Sequence, residues 1–457
     1  MAVAPYASLR HRSRSTLIDV SADRLLLRWL WAFVLGLAVI ALAIAASGMR
    51  RAFFLALFVP LGLAPFAYAR WRSFRQLAAA LPPGGQRPLL VFGIACDVIM
   101  AAQLLSARSP VMAPLLGAPG IDWIGPVWFS AHALALLGFG VVGLMRLAVR
   151  PLAWWRARQT TPAATAADDG GFGRRDFLRH ASLYGAAAPF ALSLTGVPLS
   201  YDFRVDERQL TLPDWPAALD GLRIAHLSDI HVGGAMDRAR LLHVAALTNA
   251  AHPDLVLHTG DFLTHRSGDF DAPLYEALGG IEAPLGQWAC LGNHDFDDPE
   301  RLVRRLREVG VTTLRDALIT LPVGAQPLQI GGLDFLSGRT STAEAARRMA
   351  DWPARSHVPR LLLNHDPTSF ALLPEGCADL VLSGHTHGGH IGIQLGRDSA
   401  ITVVGLAGLP DQGVFTRGAM RMFVTRCVGF YGYPMRVGIP PEIAIIVLRS
   451  PPQSTAL

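Results

Sequence analysis

The chain has no lysine. All 41 basic residues among its 457 are arginine, a compositional bias that carries no functional weight. Cysteine is scarce: Cys96, Cys290, Cys377 and Cys427 are far apart and show no CxxC spacing, which excludes a disulfide framework and a zinc knuckle. Charge is scarce too. Only 17% of residues are charged and mean hydropathy is +0.33, values that exclude a wholly soluble protein. The apolar excess lies almost entirely before residue 200, so two regions with different solvents are implied. The formal net charge of +6 suggests nucleic acid until its carriers are located. Many of them lie within the first 180 residues, between hydrophobic runs, where the natural partner is the phospholipid headgroup layer and no nucleic acid is expected.

A helix crosses a bilayer in roughly 17 to 25 residues. Four runs qualify, Leu25 to Gly48, Phe53 to Ala69, Leu89 to Ala107 and Trp123 to Leu144, and a fifth, Ala181 to Ser200, is interrupted by Gly185 and Pro189. Residues 1–150 are therefore expected to form a transmembrane helical region and 151–180 a basic linker. Residues 181–200 form a fifth membrane segment, and 201–457 a separate domain. The linker holds Arg174-Arg175-Asp176-Phe177-Leu178, which resembles a twin-arginine export signal but also fits the basic cytoplasmic flank of an ordinary helix. With the amino terminus inside, inner segments carry fifteen arginines and outer loops three. That places the domain after residue 200 outside the cytoplasmic membrane, or in the cytoplasm if the fifth run does not cross. Asp97, inside the third run, is an intramembrane carboxylate, which calls for a packing partner or a transport role.

From Leu222 onward the pattern changes. Short apolar runs, each read as a buried strand, end in loops rich in Asp, Asn and His, with helical stretches at Asp237 to Ala250 and Arg301 to Val309 between some of them. The loops read Asp229-Ile230-His231, Gly260-Asp261, Gly292-Asn293-His294-Asp295, Asn364-His365-Asp366 and Gly384-His385-Thr386-His387. Open α/β sheets place sites beyond the carboxyl ends of their strands, so five such loops are expected to converge. Two divalent cations need about eight N or O ligands including a bridging carboxylate, and this inventory supplies that number. Oxygen and imidazole without thiolate favour Mn, Fe or Zn. Alternation in an extended loop is the expected reason that Asp229 and His231, or His385 and His387, reach one centre. Glycines at 260, 292, 384, 388 and 389 are expected to let the backbone turn beside the ions.

DIH, GD, GNHD, NHDP and GHTHGG in this order resemble the calcineurin-like metallophosphoesterases over about residues 222 to 448. The tail Pro434-Met435-Arg436 with Pro440-Pro441-Glu442-Ile443 resembles the branch with amino-terminal membrane segments. The resemblance implies two mixed sheets sandwiched between helices in four layers. It implies one metal on Asp229, His231, Asp261 and His387 and another on Asp261, Asn293, His365 and His385, with Asp261 bridging. His294 is assigned as proton donor or phosphate clamp, with Asp295 orienting it or capping the next helix. Many relatives carry Asp three residues after the bridging Asp, where this chain has Thr264 followed by His265, so His294 needs another partner. His390 is expected to face solvent, and Arg266, Arg339, Arg426 and Arg436 are candidates for a second phosphate.

The expected activity is metal-dependent phosphoester hydrolysis, as phosphodiesterase or phosphatase, on a substrate that could be lipid- or nucleotide-linked. Two other readings compete. One is a cytoplasm-facing lipid pyrophosphate hydrolase like the UDP-2,3-diacylglucosamine hydrolases; the other is a non-enzymatic receptor or transporter whose metal domain only binds.

Overall fold

The computed structural model describes residues 68–79, 81, 83–106, 124–159, 174–233, 236–264, 271–354, 358–396, 399–431 and 435–452. The first apolar run, nearly all of the second, residues 160–173 of the linker, and His265, Arg266 and Pro434 lie outside the described residues. The later runs fall in helices α1 (Pro83–Ser106), α2 (Ile124–Gln159) and α3 (Arg174–Leu199). Among the described residues one stretch, Ile124–Val149, is long and apolar enough to cross a membrane, and Leu183–Leu199 is an apolar but shorter helix. The sequence predicted four crossings and a fifth segment, so a helical bundle goes beyond what the described residues hold. Asp97 is paired: the Trp128 indole donates to its Oδ1 at 2.8 Å, a packing role for the buried carboxylate.

Beyond α3 the chain forms two six-stranded mixed sheets. The first holds, in spatial order, β1 (Arg204–Thr211), β14 (Glu442–Arg449), β2 (Arg223–Leu227), β3 (Leu255–His258), β4 (Gln287–Ala289) and β5 (Val311–Thr313). The second holds β12 (Gly413–Arg417), β13 (Met420–Val424), β9 (Leu380–Ser383), β8 (Arg360–Leu363), β7 (Gln326–Gly332) and β6 (Ala317–Val323). A separate hairpin pairs β10 (Gly392–Gln394) with β11 (Ala400–Thr402).

Side-chain alternation explains the layers. Ile224, Leu255, Leu257 and Ile446 of the first sheet meet Leu361, Leu363, Leu380 and Leu382 of the second in one dry core. Their neighbours Ala225, Leu227, Val256 and Ile445 point the other way, onto helices α4 (Arg238–Ala250), α5 (Ala272–Gly279) and α6 (Pro299–Glu308). Leu362 and Val381 likewise face α7 (Thr342–Arg348) and the turn at Pro367–Leu372. The central strands are buried on both faces, which is why they read as unbroken apolar runs. Each fully buried Leu or Ile contributes about 1.5–3 kcal/mol, so the inner layer fixes how the sheets register.

β2, β3 and β4 are mutually parallel, and so are β13, β9 and β8. Six carboxyl ends therefore emerge along one edge of the sandwich. Backbone bonds stitch them together across the sheets: the Val428 and Gly429 amides donate to the Ser228 and Asp229 carbonyls, both at 3.0 Å.

Candidate metal centre

Asp229 and His231 follow β2, Asp261 follows β3, Asn293 and His294 follow β4, His365 follows β8, and His385 and His387 follow β9. The folded chain brings all of them to the same edge. The backbone does not use strand alternation to do so. Asp229, His231, Asp261, His385 and His387 all have positive φ, between 49° and 68°, a region costly for residues with a Cβ. The left-handed turn, not an extended loop, is what aims residues i and i+2 at one point. Two close approaches make this possible. A Cβ at Gly384 would lie 2.2 Å from Asp229 Oδ2, and one at Gly292 would lie 2.2 Å from Asp261 Oδ1.

Each carboxylate has one oxygen tied to the protein and one left facing inward. Asp229 Oδ2 accepts from the Ser228 hydroxyl (2.5 Å), the His385 amide (2.9 Å) and the Cys427 thiol (3.1 Å), while buried Oδ1 has no hydrogen-bond partner. Asp261 Oδ1 accepts from the His294 amide at 2.9 Å. Its Oδ2 stands 3.5 Å from His231 Nε2 and 3.4 Å from His365 Nε2. Asp229 Oδ1 stands 3.3 Å from His387 Nε2. On the other side His365 Nε2 lies 3.2 Å from Asn293 Oδ1 and 3.1 Å from His385 Nδ1.

These spacings fit cations. Because His365 Nδ1 sits 2.6 Å from the Thr259 carbonyl, Nδ1 carries a proton, and Nε2, which faces other acceptors, is the atom left to hold a second proton or a cation. Both ring nitrogens of buried His231 are without hydrogen-bond partners. Lone pairs repel when they converge, and leaving buried ones unpaired costs about 1–3 kcal/mol each. Neighbouring ligands about 2.1 Å from one ion lie roughly 3.0–3.4 Å apart, close to the separations observed. Among the described residues three groups of ligand atoms satisfy mutual proximity: Asp229–His231–Asp261, Asp261–His365–His385 and Asp229–His387–Cys427. Asp229 and Asp261 each belong to two of them, and the donor set suits divalent cations.

Electrostatics agree with this ligand set. Burial lowers the pKa values of His231, His385 and His387, so their rings stay neutral and offer lone pairs. Burial also works against charge on Asp261 and on His365, but each outweighs it for the other: His365 and His231 hold Asp261 below the usual carboxylate range, and Asp261 and Asp229 push His365 up to about 10. A proton on His365 thus takes the place of a cation.

Several expectations change. Asp295 does not touch the His294 ring. Its buried carboxylate accepts from the amides of Asp261 (2.7 Å), Phe262 (3.0 Å), Leu263 (3.3 Å) and Gly292 (3.0 Å), which makes it the anchor of the Asp261 loop. The Thr264 hydroxyl donates to the His231 carbonyl at 3.0 Å, another loop tie. His294 instead lies beside Tyr431, with ring centroids 4.4 Å apart. His390 is not a free surface residue: it is half-buried, its ring 4.8 Å from that of His387. Arg436 is fully buried and donates to the carbonyls of His387 (3.0 Å) and Gly429 (2.6 Å), while Arg426 is paired with Asp206 (3.1 Å) and Glu442 (3.2 Å). Both are structural rather than phosphate-binding, and Arg339 remains exposed.

The sequence reading missed Cys427 and Tyr431. They follow strand β13, whose end at Val424 leads into Thr425-Arg426-Cys427 without the Asp, Asn or His that marked the other loops. It missed Ser228 as well, the last link of a buried chain in which His226 Nε2 meets the Thr259 hydroxyl (2.8 Å), which donates to Ser228 (2.7 Å), which donates to Asp229.

Residues 222–389 match the model of the family described as calcineurin-like phosphoesterase. The chain is 28% identical to the uncharacterized metallophosphoesterase YkuE of Bacillus subtilis, over 61% of this chain and 98% of that one. It is 29% identical to a zebrafish (Danio rerio) transmembrane protein with metallophosphoesterase domain, over 54% of this chain and 57% of that one. It is 25% identical to the UDP-2,3-diacylglucosamine pyrophosphatase LpxG of Chlamydia muridarum, over 52% of this chain and 88% of that one.

Proposed function

We propose a reaction from the premise that the chain carries, across residues 222–389, a calcineurin-like metallophosphoesterase domain: hydrolysis of a phosphoester at a pair of divalent cations, by a protein held at the cytoplasmic membrane. Asp229, His231, Asp261 and His387 would hold one ion, and Asp261, Asn293, His365 and His385 the other. The observation that carries the reading is the aim of Asp261 Oδ2, equidistant within 0.1 Å from His231 Nε2 (3.5 Å) and His365 Nε2 (3.4 Å). Nitrogen and oxygen donors favour Mn, Fe or Zn.

Bound divalent cations supply Lewis acidity, which lowers the pKa of a water and neutralises charge on phosphoryl oxygens. The residues of this chain do the rest. Ser228, Cys427 and the His385 amide fix the Asp229 carboxylate so that one oxygen stays inward. Asp295 holds the Asp261 loop. His294, half-buried at the rim beside Tyr431, is placed to hand a proton to the departing oxygen, and Tyr431 packs its ring in that position.

The test is hydrolysis of phosphomonoesters, phosphodiesters, nucleotide sugars and phospholipids by the full chain with added Mn, Fe or Zn. Hydrolysis of at least one class, lost with chelator and in Asp261→Asn, is the expected result. Metal binding without turnover on any class would favour a binding module instead. The likeness to LpxG keeps a lipid-linked pyrophosphate among the substrates, and UDP-2,3-diacylglucosamine is the compound that decides it.

A further inference from the structure

The β10–β11 hairpin follows the His385–His387 loop directly: the His390 ring lies 4.8 Å from that of His387, tilted by 41°, and β10 begins two residues later at Gly392. Its exposed face is apolar. Ile393 and Ile401 are directly opposed across the pair and are 65% and 48% exposed, and Leu395, one step further along the same face, is 64% exposed. Val403 follows, then Leu406 at 79% and Leu409 at 46%. Between 391 and 410 the sequence holds two charged residues, Arg397 and Asp398, both between β10 and β11. A soluble surface rarely gathers so many large apolar side chains in one place without a partner.

The neighbourhood of the hairpin indicates the partner. Ile391 bridges to Val437 and Gly438, and the Gly392 amide donates to the Val437 carbonyl at 2.9 Å. On the other side of that segment, the Arg436 amide donates to the Gly196 carbonyl of α3 at 3.0 Å, and Ser193 Oγ lies 3.9 Å from Met435 Sδ. The last turns of α3 are thus seated on residues 435–437, the same segment on which the hairpin is built. There α3 exposes Leu192 and Leu194. Leu183–Leu199 is an apolar helix, and only four residues separate its end from β1. The apolar hairpin is therefore continuous with the end of a lipid-compatible helix.

We propose that β10–β11 and the turn at 403–409 form an apron that inserts into the headgroup layer of a phospholipid bilayer and holds the mouth of the metal centre against lipid-borne phosphoesters. Large apolar side chains on a surface element beside an apolar helix are what interfacial insertion requires. The hairpin also carries Gly389 and His390 at its root, so the apron and the ligand His387 belong to one continuous segment. The substrate class it selects, a phosphoester at a lipid surface, rests on the hydrolytic reading above; the contact with lipid does not.

Cysteines placed at Leu406 and, as a control, at exposed Glu308 can be labelled selectively with a fluorophore because the four native cysteines are buried. The labelled full chain is reconstituted in nanodiscs of phosphatidylethanolamine and phosphatidylglycerol containing lipid spin-labelled near the headgroup. Quenching several-fold stronger at Leu406→Cys than at Glu308→Cys is expected. Equal quenching, or a disulfide between two copies through Leu406→Cys, overturns the proposal. In the second arm, Leu406→Glu is expected to slow hydrolysis of a phospholipid in vesicles about tenfold and to leave a small soluble phosphodiester unaffected. Equal rates on the vesicle substrate overturn the presentation role. If the unaltered protein hydrolyses neither substrate, the reaction reading fails and quenching alone decides the surface.

Discussion

At the scale of single residues, the centre depends on how few freedoms its ligands keep. Asp229 has one oxygen saturated by three donors, so replacing one donor should loosen the carboxylate without removing it. Ser228→Ala is expected to lower metal affinity about tenfold, measured by competition with a chromogenic chelator, because ties behind a ligand act at that size. An unchanged affinity would show that the Cys427 thiol and the His385 amide suffice. Gly384→Ala should be worse than any conservative ligand change, since its methyl would lie 2.0 Å from Ser228 Oγ; expected are loss of metal and a lower melting temperature together. Two histidines with no place among the ligands set the acid limit. Burial depresses His226 to about 3 and His258 to about 4. Both pKa values fall below the unfolded value of about 6.5, so the unfolded chain binds the protons more readily. Stability is full above that value and declines as pH falls toward 4, by about 1.4 kcal/mol per pH unit for each ring at most. Melting curves of the metal-free protein between neutral pH and pH 5 should show the decline, and His258→Gln should flatten it.

At the scale of elements, what could be read from the sequence was whatever left a chemical mark at the end of a strand. The runs read as strands at Leu255 to His258 and Arg360 to Leu363 coincide with β3 and β8, the run Leu222 to Leu227 starts one residue before β2, and Asp379 to Leu382 lies one residue before β9, because strands buried on both faces contrast sharply with the Asp, Asn and His that follow. β14 carries the longest pairing of the first sheet, yet its run Glu442–Arg449 ends in nothing catalytic and was not read as a strand. β13 was missed for the same reason, and with it Cys427. The role of Asp295 was also out of reach, since sequence places it next to His294 while folding turns its carboxylate to the loop of Asp261. That contrast is testable. Asp295→Ala leaves four buried amides without an acceptor, at roughly 1–3 kcal/mol each, so the melting temperature should fall along with metal content. A residue that only oriented His294 would instead lower kcat and leave the melting curve in place.

At the scale of the whole molecule, the helices before the metallophosphoesterase domain set which side of a membrane it faces. The described residues hold a single stretch of spanning length, Ile124–Val149, and a shorter apolar helix that runs into the domain. The sequence reading expects the amino terminus inside from the arginine distribution, and an odd number of crossings would then put the centre outside the cytoplasm. The shorter helix decides the parity. Its seventeen residues, Leu183–Leu199, rise about 25 Å, a little under the hydrocarbon thickness, and its carboxyl end is docked on residues 435–437 of the domain. A helix so docked cannot sink further, so if it spans, the domain must sit flush on the surface, where the apolar hairpin meets headgroups. A reporter that fluoresces only in the cytoplasm, fused after Ser450, is expected to stay dark, while one that is active only in an oxidising compartment gives signal. Introducing two arginines at Leu192 and Leu194 should then block the crossing, reverse both signals and leave the metal ligands untouched. Bright cytoplasmic fluorescence from the unaltered chain would return the domain to the inner face, where a nucleotide-linked lipid of the kind LpxG cleaves becomes the favoured substrate.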